Sequence, residues 1–267
     1  MKHISVHGIQ LAYVDTGPGS TGETIVMSHG LLFDRDLFRR QIEHLRSRYR
    51  VIAYDHRGQG ASDDDPRPVI GMELVTDDAL ALMTALETGP AHFVGLSMGG
   101  FVGMRIAARW PERVRSLVLM NTSAEGEPAR NAPKYRALAE IARFFGGGHV
   151  ARRVSPIMLG KTTLRDPSRA HVVAELHERA RSMRRTIGRA VRGVIERENV
   201  LHLLEKIRVP TTVMVGAEDV ATTPDKGERI HRGVAGSRLV VLEGSGHSSA
   251  IEVPDAVNAA LDAHLGR

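Results

Sequence analysis

Short runs of apolar residues recur along the 267-residue chain, separated by stretches in which apolar positions return every three or four residues. The runs predict strands over 11–14, 24–28, 50–54, 92–96, 116–120, 211–215 and 238–242. Several, such as Leu117-Val118-Leu119-Met120 and Val213-Met214-Val215, are apolar at successive positions. That is the pattern of strands covered on both faces in a parallel sheet. Between the runs, Ala79, Leu82, Met83 and Leu86 keep the i, i+3, i+4, i+7 spacing of a one-sided helix. Strands alternating with helices predict an α/β fold, a mostly parallel twisted sheet with helices on both faces.

Strand patterns stop over 124–199. This segment predicts helices over 132–145, 149–159, 168–183 and 186–198, punctuated by Phe145-Gly146-Gly147-Gly148 and Asp166-Pro167. Because a strand precedes the block and another follows it, the expected organisation is a core of 1–123 and 200–267 with a helical cap, or lid, of 124–199 inserted over one edge of the sheet.

Composition narrows the chemistry. The chain has no cysteine, which removes disulfides and thiolate nucleophiles. The first residues lack the apolar core of a signal peptide, and no apolar run approaches the roughly 20 residues of a membrane span. A cytoplasmic protein without membrane insertion is expected. The formal charge of +5 is unevenly spread: residues 125–200 hold 16 Lys and Arg against 8 Asp and Glu. With no nucleic-acid-reading module in the chain, the arginines are expected on solvated outer faces of helices rather than on a nucleic acid. Should Arg130, Arg136, Arg152, Arg153 or Arg184 point inward, an anionic substrate carrying a carboxylate would be favoured.

The chemistry centres on Gly95-Leu96-Ser97-Met98-Gly99-Gly100, at the join of a buried strand and a helix rich in small residues. A serine hydroxyl attacks only when presented sharply to a general base and close to oxyanion donors. Gly95 and Gly99 permit the strained turn that such presentation requires, and the helix N-terminus adds positive potential beside the reacting oxygen. The base is His247, at the end of Glu243-Gly244-Ser245-Gly246-His247 after the last strand. The carboxylate expected to orient it is Asp219, in the loop after the 211–215 strand, with Glu218 as its local competitor and solvated loop charges the alternative for Glu218 and Asp225. His29-Gly30-Leu31 follows an early buried strand, so the Leu31 N–H and the Met98 N–H are the expected oxyanion donors. His29 is expected to pin that turn rather than to transfer protons.

These elements, with Asp55-His56-Arg57-Gly58-Gln59-Gly60-Ala61-Ser62 between them, occur in an order that resembles the α/β-hydrolase-fold enzymes along nearly the whole chain. The resemblance implies that Asp55 and Arg57 belong to a structural turn and are not catalytic. Asp219-Val220-Ala221-Thr222-Thr223-Pro224 and the cap length are most similar to 3-oxoadipate enol-lactonase-like esterases and lactonases. The chain departs from that group at 192–199, which lacks the expected aspartate, and in having Trp110 as its sole tryptophan. Hydrolysis of a small-molecule carboxylic ester or lactone is the implied activity, with no metal or organic cofactor required. Carbon–carbon bond hydrolases, cofactor-free perhydrolases or haloperoxidases, and a non-catalytic ligand-binding receptor share the constellation. Oligomeric state is not legible at this level.

Overall fold

The computed structural model describes residues 1–266. Eight strands form one sheet: β1 (Lys2–Val6), β2 (Ile9–Asp15), β3 (Thr24–Ser28), β4 (Arg50–Tyr54), β5 (Ala91–Leu96), β6 (Val114–Met120), β7 (Thr211–Gly216) and β8 (Arg238–Leu242). Their order is β1-β2-β4-β3-β5-β6-β7-β8. β1 pairs antiparallel with β2 and β2 antiparallel with β4; the remaining pairs are parallel. The seven strands expected from apolar runs are present, and β1 is an addition. It offers only Ile4 and Val6 among Lys2, His3 and Ser5, so its place rests on backbone pairing with β2 at the sheet edge.

Every residue of β3, β5 and β7 is buried, as strands covered on both faces must be. The helices that cover them in the core are α1 (Arg39–Leu45), α2 (Met72–Ala85) and α3 (Met98–Arg109), followed after the inserted helices by α9 (Leu201–Leu204), α10 (Pro224–Gly233), α11 (Ser249–Glu252) and α12 (Pro254–Leu265). After β3 the chain steps outward to β4, then returns to place β5 on β3's other side. That reversal opens a crevice at the carboxyl ends of β3 and β5, where open parallel sheets gather ligands.

Between β6 and β7 lie α4 (Ala132–Phe145), α5 (Ala151–Met158), α6 (Lys161–Arg165), α7 (Ala170–Ser182) and α8 (Gly188–Ile195). α4 occupies its expected span, α6 is an added single turn, and α8 is shorter than the expected 186–198. It stops because Arg197 folds back and donates from Nη1 to Val194 O at 2.7 Å, a cation on a terminal carbonyl. Arginines from this segment pair with core carboxylates, Arg179 with Asp34 and Arg189 with Asp64. Among the described residues no helix is long and apolar enough to cross a membrane.

The Asp55–Ser62 stretch is a structural turn, buried except at Gly60 and Ala61. Arg57 has no solvent exposure and holds Asp78 through Nε and Nη2, each at 2.5 Å, and Asp65 through Nη1. Asp55 accepts from Arg35 N at 2.7 Å and Ala61 N at 2.8 Å.

Candidate active site

Ser97 stands between β5 and α3 with φ 52° and ψ −109°, a left-handed conformation that costs a non-glycine residue on the order of 1–3 kcal/mol. Its surroundings enforce it. Ser97 N donates to Met120 O at 2.9 Å, while Ser97 O accepts from Phe101 N at 3.1 Å and Thr122 Oγ1 at 2.8 Å. The flanking glycines are obligatory. A Cβ on Gly95 would lie 2.3 Å from Gly99 O, and one on Gly99 would lie 1.9 Å from Ser28 O. That close approach lets Gly99 N donate to His29 O at 3.1 Å, tying the β5–α3 turn to the end of β3.

His29 pins the turn after β3. Its Nε2 accepts from His56 N at 3.0 Å, so Nδ1 carries the proton and donates to Gly30 O at 2.7 Å. Burial pushes its pKa down, and the neutral ring serves as a fixed connector. Leu32 follows at φ 71°, its N–H held by Gln59 Oε1 at 3.0 Å. Gly30 packs so close to Ser97 that an added Cβ would be 3.2 Å from the Ser97 Cβ. Leu31 lines the same cleft as Ser97, and among the described residues neither the Leu31 nor the Met98 N–H donates to a protein acceptor.

His247 and Asp219 come together from the loops after β8 and β7, with His247 Nδ1 2.8 Å from Asp219 Oδ2. Asp219 accepts four further hydrogen bonds: Asn121 Nδ2 at 3.0 Å and Thr222 Oγ1 at 2.7 Å on Oδ2, Ala221 N at 2.8 Å and Thr222 N at 2.9 Å on Oδ1. Burial raises the Asp219 pKa, but the adjacent His247 ring and these donors outweigh it and hold the carboxyl below its usual range. The group is an acceptor only, so Nδ1 of His247 carries the proton and Nε2 is left as the basic nitrogen. Glu218 is turned away and accepts from Thr162 N at 2.8 Å and Thr162 Oγ1 at 2.6 Å.

Three supporting residues have no local sequence signature. Asn121 enters from the end of β6 and Thr222 from the Asp219 loop. Glu252, in α11, takes Gly246 N at 2.9 Å and Ser248 N at 3.1 Å on one oxygen, and Gly160 N and Thr163 Oγ1, both at 2.7 Å, on the other. It clamps the two neighbours of His247 to the α5–α6 segment.

Ser97, His247, Thr222 and Leu31 line one cleft of about 890 Å³, its mouth included, whose remaining walls are largely apolar side chains from α4, α5 and α8. None of Arg130, Arg136, Arg152, Arg153 and Arg184, whose inward placement would favour an anionic substrate, lines it. Arg136 pairs with Glu196, Arg153 donates to His149 O, Arg184 donates to Gly60 O and Ser62 O, and Arg130 and Arg152 are exposed. Long cationic side chains reach out to carbonyls, carboxylates or water rather than into an apolar cleft. The arginine that does line it is Arg197. Among the described residues no cluster of three or more His, Asp or Glu is disposed to hold a metal ion.

Comparisons with known proteins agree with this fold. The alpha/beta hydrolase family model matches residues 25–260. The chain is 30% identical to 3-oxoadipate enol-lactonase 2 of Acinetobacter baylyi, over 99% of this chain and 96% of that protein. Its fold superposes on a thermophilic esterase from Thermogutta terrifontis with a TM-score of 0.91 at 30% identity, covering 100% of this chain and 98% of the other. The enol-lactonase from Burkholderia xenovorans gives a TM-score of 0.89 at 29% identity, covering 100% of both chains.

Proposed function

This chain belongs to the alpha/beta hydrolase family, and we propose that it hydrolyses a carboxylic ester or lactone through an acyl-enzyme on Ser97. The observation that carries this reading is the 2.8 Å contact between His247 Nδ1 and a fully desolvated Asp219, with His247 and Ser97 on one apolar cleft. Its relatives, an enol-lactonase and an esterase, cleave the same kind of bond.

In this mechanism His247 Nε2 takes the Ser97 proton as Oγ adds to the substrate carbonyl. The tetrahedral oxyanion is held by the Leu31 and Met98 N–H groups. Collapse breaks the acyl–oxygen bond, and the imidazolium gives its proton to the leaving alkoxide. Water then adds by the same route, releases the acid and restores Ser97. Asp219 stays ionised throughout, keeping the proton on Nδ1 and stabilising the positive ring. Residues 124–199 act as the cap that selects the substrate, since helices from this segment form most of the cleft wall.

An assay of purified protein on aryl acetates, lactones and vinylogous diketones tests the reading. Hydrolysis of esters or lactones that vanishes in Ser97→Ala supports it. Turnover of the diketones alone would make the protein a carbon–carbon bond hydrolase, and full ester hydrolysis by Ser97→Ala would remove the nucleophile.

A further inference from the structure

The cleft is apolar except around Ser97 and at a second, separate pole. There Arg197 and Glu127 form a buried ion pair, Nη1 to Oε2 at 2.9 Å, with side chains 2% and 7% exposed. The guanidinium lies over the Phe101 ring at 4.4 Å. Its Nε donates to Glu125 O at 3.1 Å and its Nη1 also to Val194 O. Nη2 makes no hydrogen bond to the protein among the described residues, although Arg197 and Glu127 both line the cleft. Tyr135 lines the same wall; burial and the nearby Glu127 push its pKa up, so its hydroxyl keeps its proton. The Ser97 mechanism uses none of these groups.

Burying an ion pair is expensive and is not needed to close an apolar wall. Arginine keeps its charge even when desolvated, so Nη2 presents a strong donor to whatever occupies the cleft. The partner carboxylate decides which acceptor suits it. Glu127 already neutralises Arg197, and a substrate carboxylate placed at Nη2 would meet Glu127 as a like charge. An uncharged oxygen meets no such repulsion. Phe101 follows Ser97 by four residues on α3, about 6 Å along the axis, so the pole stands several bonds from the reacting carbonyl.

Resting on the ester or lactone reading above, the geometry points to Arg197, with Glu127 and Tyr135, as a subsite for an uncharged oxygen partway along the acyl chain. The preferred substrates are oxo- or hydroxy-acyl esters or lactones. Glu127 sets the preference for neutral over anionic chains by balancing the arginine, and Tyr135 supplies a second donor or acceptor for a hydroxyl.

The test uses three aryl esters of equal chain length: a plain alkanoyl ester, its mid-chain ketone, and its analogue ending in a carboxylate, each rate divided by that for alkaline hydrolysis. In the wild-type protein kcat/KM for the ketone should exceed that for the alkanoyl ester by about tenfold, as expected for a hydrogen bond to a charged group, while the carboxylate is disfavoured. Replacing the pair together, Arg197→Met with Glu127→Leu, strands no buried charge and should bring the ketone-to-alkanoyl ratio to about one, whatever the absolute rate. Glu127→Gln unbalances the arginine and should raise the carboxylate-to-alkanoyl ratio about tenfold, a change that a purely structural pair would not produce. This single, nearly isosteric variant keeps the test decisive if the double variant fails to fold. A wild-type ratio near one, a wild-type preference for the carboxylate, or ratios unmoved by these variants would overturn the assignment. Equal hydrolysis of all three esters would refute this subsite alone, whereas no Ser97-dependent hydrolysis of any would refute the hydrolase reading and the subsite with it.

Discussion

Asp219→Asn separates the chemistry of the site from its fold. The carboxylate takes five donors, and an amide can satisfy only part of that set. If the NH₂ faces Ala221 N and Thr222 N, two backbone donors are left against a donor. If it faces His247, the ring relieves the conflict by moving its proton from Nδ1 to Nε2, and Thr222 Oγ1 rotates to accept. Only the Asn121 amide then remains opposed, so the second arrangement is preferred, at roughly 1–3 kcal/mol of stability for one unsatisfied buried group. The variant should fold. Its imidazole, however, now presents a proton to Ser97 instead of a lone pair. Loss of the general base through the wrong tautomer is worth about 10⁴ in kcat, or ~5 kcal/mol of transition-state stabilisation. Steady-state kinetics on an aryl ester, with urea denaturation of the same sample, reads both quantities. A folded Asp219→Asn protein that keeps kcat within tenfold of wild type at neutral pH would refute the role assigned to this carboxylate.

Gly99→Ala places a Cβ 1.9 Å from the Ser28 carbonyl oxygen, where backbone must move; it should destabilise by about 1–3 kcal/mol or more and depress ester hydrolysis, and an unchanged denaturation midpoint would contradict the packing argument. Glu252→Gln turns an amide NH₂ onto either of two donor pairs, so stability should fall by about 1–3 kcal/mol and kcat should drop as the His247 loop loosens; equal kinetics and melting would show that the clamp is dispensable. Acid should unfold the protein through Asp65 and Asp219. Burial raises both pKa values, but for Asp65 the Arg67 N–H and Arg57, and for Asp219 His247 and Thr222, hold them below the usual range. Stability from a depressed carboxyl is fully present above the unfolded value, near about 4, and is lost as pH falls through the folded value. The buried rings of His29 and His56, whose pKa values burial pushes down, add a loss of the same sign that begins below the unfolded histidine value near about 6.5. Urea midpoints should thus fall on acidification, first below about pH 6.5 and further as the two aspartates titrate, and a midpoint that rises on acidification would contradict this sign.

Much of the scaffold was legible because buried parallel strands announce themselves as unbroken apolar runs. Ser97, Asp219 and His247 each follow such a run, so their meeting at one sheet edge follows from strand direction alone. β1 escaped because two apolar residues in five make no run, and its pairing is a backbone matter. The set of donors around Asp219 was not legible, since Asn121 lies 98 residues away in the chain and its amide carries no pattern. Glu252 reads as an ordinary helix carboxylate until folding brings Gly160 and Gly246 together beneath it. The arginines show the same limit. Their excess in 125–200 is plain from the sequence, but which one faces the cleft depends on Arg197 finding Val194 O, Glu125 O and Glu127, a matter of packing rather than composition.

The central claim is that Ser97 becomes acylated with His247 as its base, and trapping that intermediate tests it most directly. Intact-mass analysis after brief exposure to an aryl fluorophosphonate, followed by peptide mapping, should find one adduct, on Ser97, formed rapidly in wild type, slowly in His247→Ala and not in Ser97→Ala. An adduct on another residue, or equal labelling of the Ser97→Ala protein, would contradict it.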